Sequence, residues 1–142
     1  FSKTQIGIFG HSMGGGGAIQ CALKNTNIFK SVSAFSPICS FNKSIFAKEA
    51  RERYLGNNID KINLYDPIFL IENYNNLDQI KIDVGLNDEF LDDLFINDFE
   101  KVCEKQNQKL IIKKHENYDH GYYFIQSFIK DHLNFHSLAL SK

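Results

Sequence analysis

Apolar positions along this chain follow two alternating rhythms. Gln5–Phe9 and Ser31–Phe35 are short apolar runs closed by turn residues, Gly10 and Pro37, which predicts buried strands. Between such runs the apolar positions recur every three or four residues, the spacing of a helix. In Gly14–Asn25 the inward set is Ile19, Ala22 and Leu23. Lys43–Leu55 reads as a helix broken by "YLGNN", and Pro67–Asn73 as a short helix opening on proline. Gln79–Val84 alternates Ile80, Ile82 and Val84, a third strand. Leu91–Gln106 places Leu94, Phe95, Phe99, Val102 and Cys103 at helical spacing, and Leu110–Ile112 is a fourth strand. Tyr122–Leu140 is a long helix with Phe124, Ile125, Phe128, Ile129 and Leu133 inward. Strands alternating with helices imply right-handed crossovers and a parallel sheet, the α/β class. No repeat or linker interrupts the pattern, so residues 1–142 read as one domain. Four strands are few for such a sheet, and the first is apolar on both faces, as a central strand would be. The expectation is a sheet entered in its middle, its N-terminal part missing. The first strand would then keep one unpaired edge, prone to association.

Composition removes several function classes. Hydrophobic residues make up 43% of the 142 and charged residues 23%, an ordinary globular balance. The net charge is −1 with no long basic stretch, so no phosphate footprint for nucleic acid is present. No apolar run reaches membrane-spanning length, and no signal peptide opens the chain. Cys21, Cys39 and Cys103 are odd in number and lack a C-x-x-C spacing. They suit reduced, buried thiols in a cytosolic protein, with Cys21 and Cys39 in the core.

The candidate chemistry starts at "GHSMG", which fits the G-x-S-x-G turn between a strand and a helix. In that nucleophile elbow Ser12 sits at the apex, and Gly10 and Gly14 avoid a clash at the turn. Gly15, Gly16 and Gly17 would let the helix lie close to the sheet. The helix N-terminus brings partial positive charge to a developing oxyanion, with the Met13 N–H as donor. A nucleophilic serine needs a base and an orienting acid, in the chain order Ser, Asp or Glu, His. Asp88 follows the third strand in "IDVGLNDEF", and His120 follows the fourth in "KKHENYDHGYYF". Both project from the carboxyl edge of the sheet, where ligands bind in open α/β folds. His115 and His11 are alternative bases, and Glu89, Asp92 and Asp93 alternative acids. Asp119, next to His120, suits a helix cap. His132 and His136 stand i, i+4 apart, a spacing that can bind metal, yet no third ligand accompanies them, so no metal is expected.

These residues carry a resemblance. "GHSMGGGGA", "CALKN", "KSVSAFSPIC", "YLG", "YDHGYYFI" and "SFIKDHL" stand in the order and at spacings similar to those of the S-formylglutathione hydrolase (esterase D) family. The resemblance covers nearly the whole chain and implies an α/β-hydrolase fold, of which this would be the C-terminal half, starting at the nucleophile-elbow strand. It implies a serine hydrolase that splits S-formylglutathione into glutathione and formate and also cleaves simple carboxylic esters. The family's enzymes are cytosolic, need no cofactor and are often dimeric. Carried over residue by residue, the implied triad is Ser12, Asp88 and His120. Departures exist: Phe46 stands at the family's tryptophan, Gly16 at its elbow histidine and Gly121 at its serine. A broad carboxylesterase without glutathione specificity, or a catalytically incompetent fragment, therefore stands beside the main reading. The family's early strands, and the loop giving a second oxyanion N–H, would belong to the missing part.

Overall fold

Alternate residues of a strand face opposite sides of its sheet, and this chain uses the two sides differently. The structure, a computed structural model, describes residues 6–74 and 77–141. Its strands are β1 (Ile6–His11), β2 (Phe29–Phe35), β3 (Ile80–Gly85) and β4 (Leu110–His115). They form one parallel sheet in the order β1-β2-β3-β4. The helices are α1 (Met13–Lys24), α2 (Lys48–Leu55), α3 (Ile59–Asn63), α4 (Pro67–Asn73), α5 (Ile96–Lys105) and α6 (Tyr122–Leu140). The expected strand residue Gln5 lies outside the described residues.

On one side, Val32, Ala34, Ile80, Ile82 and Val84 join Ile19, Ala22, Leu23, Leu70 and Phe99 in a closed apolar core. These come from α1, α4 and α5, so three helices cover that face. Burying such side chains fully stabilises by about 1.5–3 kcal/mol each. The other face carries Ser31, Ser33, Lys81 and Asp83, all buried under α6. The alternation of β3 thus does not separate core from solvent, because every residue from Ile80 to Gly85 is buried.

Several expected boundaries move for identifiable reasons. The expected helix over Lys43–Leu55 begins only at Lys48. The Asp93 carboxylate ties down the preceding turn by accepting from the Ser44 hydroxyl and from the Ile45 and Phe46 N–H groups, at 2.6, 2.7 and 3.0 Å. The expected helix over Leu91–Gln106 is split. A 3₁₀ turn, Leu91–Leu94, meets α5 at Phe95, whose φ of 56° ends one helix and opens the next. The unpredicted α3 is capped by Asn58, which accepts from the Lys61 N–H at 3.1 Å. In α6 the bounds are as expected, but Leu133 is 53% exposed and the buried residues are Phe124, His132 and His136. Cys39 and Cys103 are buried, whereas Cys21 lies on the exposed side of α1, contrary to the expected core position.

Candidate active site

Ser12 stands at the carboxyl end of β1, immediately before α1. Its backbone adopts φ 56° and ψ −122°, a conformation that costs a side-chain-bearing residue about 1–3 kcal/mol. Hydrogen bonds hold it on both sides. The Ser12 N–H donates to Phe35 O at 2.9 Å, and Ser12 O accepts from the Gly16 and Ile38 N–H groups at 3.0 and 3.1 Å. Glycine is demanded where the chain crosses itself. A Cβ on Gly10 would collide with the Gly14 carbonyl, and one on Gly16 with Ile38 O. Gly15 is also close-packed, against Pro37, but Gly14 and Gly17 face open space, contrary to the expectation that each needs its glycine. Met13 opens α1, so its N–H belongs to the first turn, which has no carbonyl one turn back to bond.

Two loops bring the other groups to this edge. The Leu86 N–H donates to His115 O and the Asn87 N–H to Tyr118 O, both at 2.9 Å. The loops after β3 and β4 are thereby laced together. Gly85 permits the approach, since a Cβ there would meet Tyr118 O. Asp88 and His120 meet across the seam, with His120 Nδ1 2.7 Å from Asp88 Oδ2. Asp88 Oδ1 accepts from the Phe90 N–H at 2.9 Å. Burial pushes the Asp88 carboxyl upward, but the His120 bond, the Phe90 N–H and the neighbouring Ser36 hydroxyl outweigh it and hold the carboxyl below its ordinary range. The Ser36 hydroxyl is buried close by without a well-formed hydrogen bond of its own.

The competing candidates fall elsewhere. The His115 Nε2–H donates to Asp83 Oδ2, 2.8 Å away, and the ring stacks on Phe128 with ring centroids 3.7 Å apart. It belongs to the face under α6. Glu89 and Asp92 are exposed, though Glu89 accepts weakly from the His120 N–H at 3.4 Å. Asp93 serves the turn before α2. Asp119 accepts from the Gly121 N–H at 2.8 Å and so steadies the entry to α6, while the cap residue itself is Gly121. His11, the other alternative base, lies beside the Asp88–His120 pair. Its ring lies 4.4 Å from that of His120, centroid to centroid. Burial first, and then the His120 charge, lower its pKa. Local sequence gave no sign of this contact, because it depends on the loop after β4.

His132 and His136 form no metal site. His136 bonds Ser31 through Nδ1 at 2.7 Å and Ser33 through Nε2 at 2.8 Å. His132 Nδ1 bonds Ser33 at 2.8 Å, and its Nε2 approaches Asp83 Oδ1 at 3.2 Å, off the line of a good hydrogen bond. Lys81 pairs with the same carboxylate. A buried polar ladder therefore runs from Ser31 to Lys81 under α6. Its sequence signal was the match of small and charged residues on one face of β2 and β3 to two histidines one helical turn apart.

Beside Ser12 a shallow recess is lined by Ile38, Phe46, Phe90, Asp93 and Leu94, with about 10 Å³ of free space. That is room for one water-sized group. The Phe90 ring also sits 5.1 Å from His120, edge-on, so this recess adjoins both residues.

The chain as a whole is similar to known proteins. The Esterase family matches residues 1–135. The S-formylglutathione hydrolase of Arabidopsis thaliana is 45% identical over 139 residues, 96% of this chain and 49% of that protein. The structure of an S-formylglutathione hydrolase from Agrobacterium tumefaciens superposes with a TM-score of 0.93 at 39% identity, over 98% of this chain and 50% of that one. A fluorophosphonate-binding serine hydrolase of Staphylococcus aureus, solved with substrate bound, gives a TM-score of 0.75 at 24% identity, over 96% and 56% of the two chains. The chain spans about half the length of the relatives it matches.

Proposed function

The chain belongs to the Esterase family and has the α/β-hydrolase fold, and from that premise we propose that it is a serine hydrolase cleaving S-formylglutathione to glutathione and formate, and simple carboxylic esters besides. The observation that carries this reading is the pairing of His120 with Asp88 at 2.7 Å on the sheet edge where Ser12 is held at a positive φ. Ser12 Oγ attacks the thioester carbonyl, and His120 Nε2 takes its proton. Asp88, kept ionised by its hydrogen bonds, fixes the tautomer that puts the proton on Nδ1 and stabilises the imidazolium. The Met13 N–H donates to the oxyanion. Collapse breaks the carbon–sulfur bond, and glutathione leaves with the proton from His120. Water then repeats the attack on the formyl ester of Ser12, releases formate and restores the serine.

The small recess beside Ser12 supports a one-carbon acyl group. The identities to the two named S-formylglutathione hydrolases support the thioester. With this reading go a cytosolic location and a homodimer, and no cofactor is called for in any step.

The test is hydrolysis of S-formylglutathione and of 4-nitrophenyl acetate, with mass spectrometry of a fluorophosphonate adduct. The label is expected on Ser12. Ser12→Ala should lower the rate on the order of 10⁶-fold and Asp88→Asn on the order of 10⁴-fold. Retained activity in Ser12→Ala would overturn the nucleophile. A full effect from Glu89→Gln or Asp92→Asn, with none from Asp88→Asn, would move the acid. Ester cleavage without thioester cleavage would favour the broad carboxylesterase.

A further inference from the structure

Asp88 and Phe90 place His120 relative to β3, not relative to Ser12. Both belong to the loop after β3. The hydrogen bonds that lace the loop after β4 run to that same loop: the Leu86 N–H to His115 O, the Asn87 N–H to Tyr118 O and the His120 N–H to Glu89. Ser12 is carried by β1, two strands away in the sheet. A histidine ring turns about two side-chain torsions, the outer of them broad. The bond from Nδ1 to Asp88 holds one corner of the ring and leaves its tilt about that corner open. Proton transfer from Ser12 needs that tilt fixed from the nucleophile's side.

His11 supplies the contact. It is the last residue of β1 and the immediate chain neighbour of Ser12. A planar peptide joins the two, and the Ser12 N–H bond to Phe35 O fixes that peptide in the sheet. The His11 ring lies 4.4 Å from the His120 ring, inclined at 42°. Phe90 meets the same imidazole edge-on, at 5.1 Å and 79°. His120 is therefore packed both from the strand of the nucleophile and from the loop of the acid. Tyr122, at the start of α6, stands 6.4 Å from the His11 ring. The His11 Nε2 is buried with no hydrogen-bond partner among the described residues. At that atom the ring is held by packing, so an apolar ring can take its place.

We propose that His11 is a positioning residue for His120: packed on the imidazole, it carries the geometry of the nucleophile's strand to the base and sets the approach of His120 Nε2 to Ser12 Oγ. The inference rests on the serine-hydrolase reading and adds a residue to it. His11 takes no proton in the cycle. It acts through the place and tilt of the ring that does, and any flat ring of its size at position 11 serves the same end.

The experiment compares the wild-type chain with His11→Phe, which keeps a ring, and His11→Ala, which removes it. Three quantities are read: kcat and KM for 4-nitrophenyl acetate, the rate at which an ethyl fluorophosphonate labels Ser12, and the proton NMR signal of the His120 Nδ1–H bonded to Asp88. Urea unfolding of each variant gives the folded fraction under the assay conditions. His11→Ala should lower kcat and the labelling rate about 10²-fold with KM little changed, the cost of displacing a reacting group by about 1 Å. His11→Phe should stay within about threefold of the wild type, because the ring contact survives. The Nδ1–H signal should remain sharp in His11→Phe and broaden in His11→Ala. Wild-type rates in His11→Ala would overturn the proposal, as would a loss that its unfolded fraction accounts for. So would a loss in His11→Phe equal to that in His11→Ala, which would give the His11 nitrogens a chemical role instead. If Ser12 takes no label in the wild type while the Nδ1–H signal responds to the two variants as expected, the positioning of His120 by His11 stands and only the nucleophile reading fails.

Discussion

Ser12 occupies a backbone conformation that mirrors the ordinary extended region, open to glycine without strain and to other residues only at a cost. That cost has a direct consequence for two variants that both lack the hydroxyl. Ser12→Ala keeps a Cβ and keeps the strain. Ser12→Gly relieves it, and should raise the melting temperature over Ser12→Ala by the equivalent of about 1 kcal/mol or more. Thermal unfolding of the two proteins side by side checks this. Equal melting temperatures would mean that the elbow is not strained. The same site shows which side chains sequence could read. Ser12, Asp88 and His120 were legible because each sits at a fixed place relative to a strand end. His11 was not, because its neighbour His120 lies 109 positions away and is delivered by a loop.

At the scale of elements, α1 tests how closely a helix can be laid against what precedes it. Adjacent glycines give opposite answers. Gly16 is pressed on Ile38 O, whereas Gly17 has nothing within 4 Å of where a Cβ would sit. Gly17→Ala should stabilise the protein by up to about 1 kcal/mol through helix propensity. Gly16→Ala should destabilise it. Urea denaturation of both variants decides the matter, and a destabilised Gly17→Ala would refute the assigned packing. On the opposite face, α6 buries two histidines whose pKa values are both lowered. Burial, then the nearby His132, lowers His136 to about 4. His132 is lowered by burial too, against the pull of Asp83 and Asp131 and with Lys81 alongside. The unfolded chain, with histidines near 6.5, binds protons that the folded chain refuses between those values. Stability is therefore full above about pH 6.5 and falls as the pH drops toward 4, by on the order of 3 kcal/mol for His136. The Asp83 carboxyl, held low despite burial by His132, Lys81 and His115, titrates below that window and does not blur it. Urea unfolding at pH 7 and pH 5 reads the effect, and His136→Gln should flatten it. A pH profile unchanged by that substitution would show that His136 is not the group responsible. The hydrophobic periodicity gave α1 and the bounds of α6, but not the buried face of α6, where His132 and His136 are inward and Leu133 is exposed. It missed α3, which has five residues and no period to display. It overran α2 because Asp93 arrests the preceding turn from 45 or more positions away.

Across the whole molecule, the sheet is finished at one side of β1 only. β1 pairs with β2, and no other described strand adjoins it. Ile6 and Phe9 on it are 41% and 47% exposed, in a strand whose pattern is that of a sheet centre. Such an edge invites pairing with another chain. The 142-residue chain alone should therefore sediment as an associated species, or bind a complementing polypeptide of the same fold that restores activity in trans. A clean monomer with the full rate of a complete S-formylglutathione hydrolase would refute this. The two apolar faces of the first strand predict a sheet centre, whereas among the described residues β1 stands at the sheet edge, paired with β2 alone. That the far side of the sheet is polar was not legible, since Lys81 and Asp83 read as solvent-facing until α6 covers them. This ladder also contains Ser33 and Asp83 on the sheet and His132 on α6, a second serine, aspartate and histidine in contact. All three are sealed from solvent, where Ser12 and His120 are not. The protein thus carries its own internal control. An effect shared by substitutions in both sets reports on folding, and an activity lost on substituting Ser12 but kept on substituting Ser33 supports the chemistry proposed for Ser12.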